Sequence, residues 1–467
     1  MSTMIGSQGS FFVRVRRPDE EALPQENVFF NASSYVETAP CTNQEVSVAS
    51  LVAEFTSRPL QQVILPQAWA KNPSYLYRTT VEQMNKDQER LHQIVEEHNF
   101  TFQNKIQFVG QAEGGLLGFV EEVHLPPGTK MYVCADLHGQ LLTLIGILSV
   151  LRAQRLLTDT YRCTPGFYMI FLGDYIDRGM NDLQLLALLL MFRIENPTSV
   201  FLIRGNHDRA EGDVHDGFAN QTLIEYFKQN RRVWENCFQS FPFALCVSSV
   251  EASQQSPLSG QQQYVHFSHG FLGLSVDPVS RLQGRDCMSG VSDSCELTGS
   301  WLGEDKIRPH ARDELYNKLR FQESALSPLG YIWSDINENI GSFGCNSQRG
   351  IGFCFTSRTV DLIRKATEVA RAKICFFVRG HEHEFKEYQV VRRAESRKRP
   401  SKVIAMTLPM HAFVPNITKV VQGAFFRVAP RVRDWKKSFM ISIWNPEIRG
   451  IELRVDPAEN NMYDTLN

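Results

Sequence analysis

In "VCADLHGQL" (133–141) an apolar run ends at Cys134, and the turn behind it holds Asp136 and His138, a carboxylate and an imidazole one residue apart. The arrangement recurs along the chain. "FLGDYIDRG" delivers Asp174, "FLIRGNHD" delivers Asn206 and His207, "YVHFSHG" delivers His269, and "FFVRGHEHEF" delivers His381 and His383. A lone histidine after a strand is usually structural; a series of such turns is not. Asp, Asn and His without thiolate suit divalent metals of borderline hardness, Mn first and Fe or Zn as alternatives, rather than a structural zinc. Asp136, His138, Asp174, Asn206, His269, His381 and His383 are too many ligands for one ion. A carboxylate in mid-series, Asp174, is suited to bridge two ions ~3.5–4 Å apart. Such a pair acidifies a bridging water and neutralises phosphoryl oxygens, so the predicted chemistry is attack of a metal-activated hydroxide on a phosphoester.

The elements that must carry these turns are legible. From "LPPGTKMYVCADLHGQ" onward, β-branched or aromatic runs alternate with apolar helical ones: "KMYVCA" then 139–154, "GFYMIFL" then 180–194, "TSVFLI" then a helix near 222–236. Continuously apolar strands separated by helices predict a covered sheet with parallel pairing in at least part. Ligands collect outside the carboxyl ends of such strands, and glycine lets the backbone turn tightly there. Later runs ("FPFALCV", "YVHFS", "KICFFV", "KVIAMTL", "SFMISIW") have fewer helices between them, which predicts a more antiparallel second half.

The remaining segments divide the chain into an N-terminal extension (1–125), a catalytic domain (126–455) and a short tail (456–467). Residues 1–45 are polar and aperiodic, which predicts a loosely ordered arm. Within the mostly helical extension, Val81, Met84, Leu91 and Val95 recur at helical spacing behind a Thr79 or Thr80 cap. Packing on the main domain is expected for that helix, with a partner-binding coiled coil as the alternative. Residues 271–330, rich in Ser, Gly and charge, read as an insertion on the rim of the site. The run "RRAESRKRPSK" (392–402) reads as a solvated hairpin tip, with a docking patch as the alternative.

Composition narrows the class further. The chain has 467 residues, 43% hydrophobic and 21% charged, with a formal net charge of −2. That is a globular composition with no general affinity for nucleic acid. The apolar stretches "LLTLIGILSVL" and "LQLLALLLMF" are too short to span a bilayer and read as buried helices. "MSTMIGSQGSFFVRVRR" lacks the apolar core of a signal peptide. Ten cysteines without a CxxC pair, several inside apolar runs, point to reduced core thiols and a cytoplasmic setting; Cys287 and Cys295 are the pair that could bridge. A bacterial effector working inside a host cell is a further possibility for the location. No internal repeat is evident.

The ordered series "DLHG", "GDYIDRG", "RGNHD", "HG" and "RGHEH", with "YIWSDI" and "CNSQRGIGFCF" before the last of them, resembles the phosphoprotein phosphatase family of the calcineurin-like metallophosphoesterases over about 130–385. The resemblance implies an α/β fold, α+β in its later half, with a central β-sandwich flanked by helices. It implies two divalent metal ions: Asp136, His138 and Asp174 on the first, Asp174, Asn206, His269 and His381 on the second. Arg178, Arg349 and Asn206 would grip the phosphate, and His207, oriented by Asp177, would protonate the leaving oxygen. His383 is not part of the usual pattern; on an extended segment it would share a side with His381 and complete the first ion's shell. The chain also writes "GNHD" and "HGF" where the family has "GNHE" and "HGG", and "TLPMHAFVPN" replaces its aromatic loop.

The expected activity is therefore metal-dependent hydrolysis of phosphomonoesters on Ser/Thr, or Tyr, of a phosphorylated protein. Hydrolysis of a small phosphoester or a dinucleoside polyphosphate is the alternative within the same chemistry, and a metal-less scaffold is the alternative outside it. The extension and the 271–330 insertion are the segments expected to dock partners.

Overall fold

The structure is a computed structural model that describes residues 11–15, 27–30, 46–58, 60–63, 74–77, 81–110, 116–179, 181–209, 226–249, 262–272, 288–292, 330–337, 344–346, 348–349, 352–366, 372–382, 389–392, 403–409, 420–445, 450–456 and 459–464. Two sheets face each other. The nine-stranded sheet runs Asn27–Phe30, Phe11–Val15, Gly450–Val455, Lys436–Asn445, Val420–Arg427, Lys130–Cys134, Phe167–Phe171 and Val200–Leu202, with Asn460–Asn461 paired to Lys436–Asn445. The seven-stranded sheet runs Met288–Ser292, Leu116–Leu125, Ala244–Ser249, Gln262–Ser268, Ala372–Arg379, Val403–Thr407 and Gln389–Arg392.

Alternation along each strand divides the apolar residues between layers. Met131, Val133, Ile170 and Leu172 of the first sheet meet Leu245, Val265, Phe267 and Val378 of the second in the sandwich interior. The opposite face of the first sheet, with Tyr132, Cys134, Met169 and Phe171, lies under the helices Leu141–Ala153 and Asp182–Glu195. Both helices are apolar all round and buried on nearly every side, as helices sandwiched between layers must be. The outer face of the second sheet, with Ala244, Cys246, Tyr264 and Phe377, packs against Tyr331 and the helix Ser357–Ala366. An α/β sandwich flanked by helices is thus the fold.

Some local expectations change. The second half is not simply antiparallel: Gln262–Ser268 pairs parallel with Ala372–Arg379, which pairs parallel with Val403–Thr407. Long connections, one of them through the helix Ser357–Ala366, permit crossovers where short turns would force hairpins. Residues 1–45 are not wholly a loose arm. The runs "FFVRV" and "NVFF" have the aromatic and β-branched content of strands and extend the open edge of the first sheet at Gly450–Val455. The helix expected near 222–236 is Arg231–Gln239. Of the 271–330 segment, Met288–Ser292 adds an edge strand to Leu116–Leu125; 273–287 and 293–329 lie outside the described residues, as do Cys287 and Cys295. Gln389–Arg392 and Val403–Thr407 pair antiparallel, and the basic run joining them is likewise outside the described residues.

The N-terminal helices bear on the site through what they hold. Val48–Ser57 begins in a capping box at Ser47 and buries Val48, Leu51, Val52 and Phe55. Val81–Thr101 buries Leu91, Ile94 and Val95 in the cluster that includes the Asp182–Glu195 helix, each apolar side chain contributing about 1.5–3 kcal/mol. Polar clamps fix the register. Arg58 donates to both oxygens of Asp87 at 2.6 and 2.7 Å, and Gln184 donates to Asp87 at 2.8 Å. Asp182–Glu195 is the helix that leaves the turn carrying Asp174, Asp177 and Arg178. Among the described residues, no helix is long and apolar enough to cross a membrane.

Candidate active site

Lys130–Cys134, Phe167–Phe171 and Val200–Leu202 are parallel neighbours in one sheet, and Gln262–Ser268 and Ala372–Arg379 in the other. Their carboxyl-end turns meet across the top of the sandwich. His138 N donates to Asp174 O at 2.9 Å, His269 Nδ1 donates to Leu172 O at 2.8 Å, and Gly380 N donates to His269 O at 3.0 Å. Gly173 and Gly205 approach closely: a Cβ on either would run into the other's turn, and Gly173 has φ +96°. The backbone is forced elsewhere too. Among the described residues, non-glycine positive φ occurs at His138, Arg155, Tyr161, Asp174, Asp177, Arg178 and His381. Most of these are residues singled out from the sequence for chemistry, which is where such backbone strain collects.

The turns bring Asp136, His138, Asp174, Asn206, His269 and His381 into one buried cluster. Oδ1 of Asp174 accepts from His207 N at 3.0 Å, while Oδ2 makes no hydrogen bond. Three imidazoles surround that oxygen, with Nε2 of His269 at 3.2 Å, of His138 at 3.5 Å and of His207 at 3.9 Å. His138 and His269 each use Nδ1–H on a backbone carbonyl, Ile176 O at 2.9 Å and Leu172 O at 2.8 Å, which turns their Nε2 lone pairs inward. Nε2 of His269 also faces Asn206 Oδ1 at 2.9 Å and His381 Nδ1 at 3.0 Å. Lone pairs aimed at one another in a buried space are the donor set of a cation site. Ligand atoms lie within 4.8 Å of one another in two groups, His138–Asp174–His207 and Asp174–His269–His381, and Asp174 belongs to both. Asp136 accepts from His381 N at 3.1 Å and lies 3.6 Å from His269 Nδ1.

Charge follows the geometry. Burial favours the neutral acid at Asp174, but His269, His207 and His138 hold it well below the usual carboxylate range. Burial opposes a charge on His269, yet Asp174 and Asp136 outweigh it and raise this imidazole to about 9. Burial, with His269 and Arg349 nearby, pushes His381 well down, so it is a neutral imidazole with a lone pair to give.

Around this cluster stand the phosphate-gripping candidates. Arg178 spans two imidazoles, Nη1 3.3 Å from His138 Nε2 and Nη2 3.3 Å from His207 Nε2. Nδ1 of His207 lies 2.7 Å from Asp177 Oδ2, which turns Nε2 toward Arg178 and the cluster. Arg349 comes in on the opposite side, where its Nε donates to Asp335 Oδ2 at 2.6 Å. His383 lies outside the described residues.

Several supporting residues had escaped assignment. Asp335 braces Arg349, accepts from Asn346 at 2.7 Å and reaches to 3.5 Å from His381 Nε2. Asp208 accepts from the backbone N–H groups of Asp174, Tyr175 and Gly205 at 2.9, 3.0 and 2.7 Å, stapling two ligand-bearing turns together. Arg379, fully buried, donates to Gly270 O, Ser334 O, Thr407 Oγ1 and Glu382, and so ties the His269 and His381 turns to the Asp335 segment. Their positions inside "GNHD", "YIWSDI" and "RGHEH" were the available signal.

The chain matches the calcineurin-like phosphoesterase family over residues 129–385. It is 29% identical over 257 residues to serine/threonine-protein phosphatase 7 of Arabidopsis thaliana, covering 54% of this chain and 55% of that one. It is 31% identical over 137 residues to serine/threonine-protein phosphatase PP1-1 of Saccharomyces cerevisiae, covering 28% of this chain and 39% of that one. The chain therefore spans about half, or less, of the length of these curated relatives. Among solved structures, a protein serine/threonine phosphatase from Saccharomyces cerevisiae aligns with a TM-score of 0.43 at 18% identity, over 73% of this chain and 83% of that one. Because the family match takes in every turn of the cluster, from Asp136 to His381, this chain belongs to the calcineurin-like phosphoesterase family.

Proposed function

We propose that this chain is a metal-dependent phosphoprotein phosphatase that hydrolyses phosphomonoesters on protein Ser/Thr. The observation that carries the proposal is Asp174 Oδ2: a buried carboxylate oxygen without a hydrogen bond, facing imidazoles on two sides. The family implies a dinuclear divalent metal centre, and the His/Asp groups present fit one. In this reading Asp136, His138 and Asp174 hold one ion, Asp174, Asn206, His269 and His381 the other, and manganese is the metal we favour. Such ions, when bound, supply Lewis acidity that makes water a nucleophile at neutral pH and offsets phosphoryl charge.

The rest is done by the chain. Guanidinium forks at Arg178 and Arg349 match phosphoryl oxygens in pairs, and Asp335 fixes the second fork in place. His207, its Nδ1 held by Asp177, delivers a proton from Nε2 to the leaving oxygen. Free thiols at Cys134, Cys163, Cys237, Cys246, Cys354 and Cys375 support a reducing, cytoplasmic setting.

The test is turnover of p-nitrophenyl phosphate in added Mn, followed by a phosphopeptide panel with a dinucleoside tetraphosphate as control. Phosphopeptide turnover well above that of the tetraphosphate is expected. Turnover of the tetraphosphate alone would replace the protein substrate by a small one, and no turnover at all would end the enzyme reading.

A further inference from the structure

We propose that the end of the first sheet opposite the active site is a docking surface for an acidic protein segment. Arg427 lies directly across from Lys130 on one side and from Lys436 on the other, in the antiparallel register of Val420–Arg427 with Lys130–Cys134 and Lys436–Asn445. Residues directly opposite share a face, so the three cations stand in a row. The turn that joins Arg427 to Lys436 adds Arg431 and Arg433. All five are exposed except Lys436, which is half-buried. Lys130 begins the strand whose carboxyl end leads into the Asp136 and His138 turn, which puts the row at the far end of the sheet from the site.

Like charges placed directly opposite one another destabilise a sheet, and little here offsets them. Among the described residues, the carboxylates that answer these cations are Glu459, 2.7 Å from Arg427, and Asp434, 3.9 Å from Arg433. Both pairs are exposed and worth little. Lys436 gives its ammonium to a neutral acceptor, Asn461 Oδ1 at 2.6 Å, and Lys130 and Arg431 make no ion pair among the described residues. Nor do the cations guard an open edge, because their three strands lie inside the nine-stranded sheet. An anionic partner would relieve the repulsion.

The shape of the row favours a peptide. Three adjacent strands span about 10 Å, the reach of three or four residues of an extended chain. Carboxylates on one short segment fit that span, and arginine clusters are a recurrent means of reading acidic motifs. A membrane surface would need apolar side chains beside the cations, and Val428, Val432 and Trp435 between them are buried. A nucleic-acid backbone would need an unbroken basic face, whereas Asp434 and Glu459 interrupt this one and the whole chain carries a net charge of −2.

The test uses the full chain and a labelled peptide of alternating serine and glutamate, with binding read by fluorescence anisotropy at low salt. Wild type should bind the peptide, and the affinity should fall as salt is added. Arg431→Glu/Arg433→Glu reverses two exposed charges on the turn, and Lys130→Glu reverses one in the row. Each should weaken binding by about tenfold, the size of a lost charge-assisted contact. Urea unfolding near the wild-type midpoint shows that both variants fold. Arg178→Ala/Arg349→Ala should bind the peptide as wild type does, because its lost cations lie at the other end of the sheet. These readouts do not depend on turnover, so they stand or fall apart from the phosphatase reading. Absent binding, unchanged binding in either charge-reversal variant, or binding lost in the active-site variant would overturn the proposal. So would tighter binding to vesicles of equimolar phosphatidylcholine and phosphatidylserine, or to a single-stranded DNA oligonucleotide, since the partner would then be a membrane or a nucleic acid.

Discussion

Nδ1 of His381 lies 3.0 Å from Nε2 of His269, although Nδ1–H of His269 is already given to the Leu172 carbonyl. The tautomers decide which of these two nitrogens offers its lone pair to the other, and Asn206 Oδ1 and Asp174 Oδ2 face the same His269 Nε2 from 2.9 and 3.2 Å. A set so rich in acceptors favours positive charge. A proton can serve, which is why His269 is raised to about 9 despite its burial. A divalent ion serves better, since it satisfies all of the donors together. Wild type should carry two divalent ions per chain by elemental analysis, and Asp174→Asn no more than one, because this carboxylate is common to both ligand groups found among the described residues. Retention of both ions by the variant would remove Asp174 from the bridging place.

The pair His207–Asp177 predicts a different signature. At 2.7 Å the carboxylate fixes the imidazole, and although its Nε2 lies 3.9 Å from Asp174 Oδ2, the proposed ligand sets of both ions are complete without it. His207→Asn should therefore keep its metal content and lose ~10²–10⁴ in kcat on a phosphoserine peptide, the worth of a positioned proton transfer. On p-nitrophenyl phosphate, whose leaving group departs without a proton, the loss should be much smaller. Equal losses on the two substrates would exclude His207 as the acid.

The turns were legible because the chemistry sits where local rules are strictest. Apolar runs ending in Ala-Asp, Gly-Asp, Gly-Asn, Ser-His or Gly-His mark the carboxyl ends of strands, and Asp136, His138, Asp174, Asn206, His269 and His381 lie on such turns. What holds the site together was harder to see. Asp335, Asp208 and Arg379 act through backbone groups and neighbours distant in sequence, as in the bond from Arg379 to Gly270 O. Nothing in the spacing of "YIWSDI" says that its aspartate will meet Arg349 across 14 residues. The parallel pairing of Gln262–Ser268 with Ala372–Arg379 was hidden for a related reason, since pairing over long connections leaves no local mark. The short strands Phe11–Val15 and Asn27–Phe30 were hidden by the polar residues around them.

The brace on Arg349 can be tested apart from the arginine itself. Arg349→Ala should lower phosphoester turnover on the order of 10²-fold with metals retained. Asp335→Ala removes the acceptor that Arg349 Nε and Asn346 share. It should raise KM for a phosphopeptide and move toward the Arg349→Ala value without reaching it. In the double variant the two losses should not add, because the residues act as one unit. Additive losses would separate them and send the search for the second phosphate grip elsewhere.

His266 predicts an acid-sensitive component of stability. Its ring is buried on the strand Gln262–Ser268, near Tyr331 at 6.1 Å and edge-on to Phe377 at 5.6 Å, and neither nitrogen finds a hydrogen-bond partner. Burial pushes this imidazole down to about 3, whereas in the unfolded chain it titrates near the ordinary value of about 6.5. The folded state therefore binds the proton less readily. The contribution is fully present above about pH 6.5 and is lost as pH falls from there toward 3, with a limiting slope of about 1.4 kcal/mol per pH unit. His266→Phe keeps an aromatic ring in the same apolar site and removes the titration. Urea unfolding of metal-free wild type and variant at pH 7 and pH 5 should show the variant gaining on wild type by about 2 kcal/mol over that interval. The carboxylates and imidazoles of the active site titrate in both proteins and cancel in the difference. Parallel pH curves would mean that the His266 ring keeps its proton in the fold, and the dry contact with Tyr331 and Phe377 would have to be abandoned.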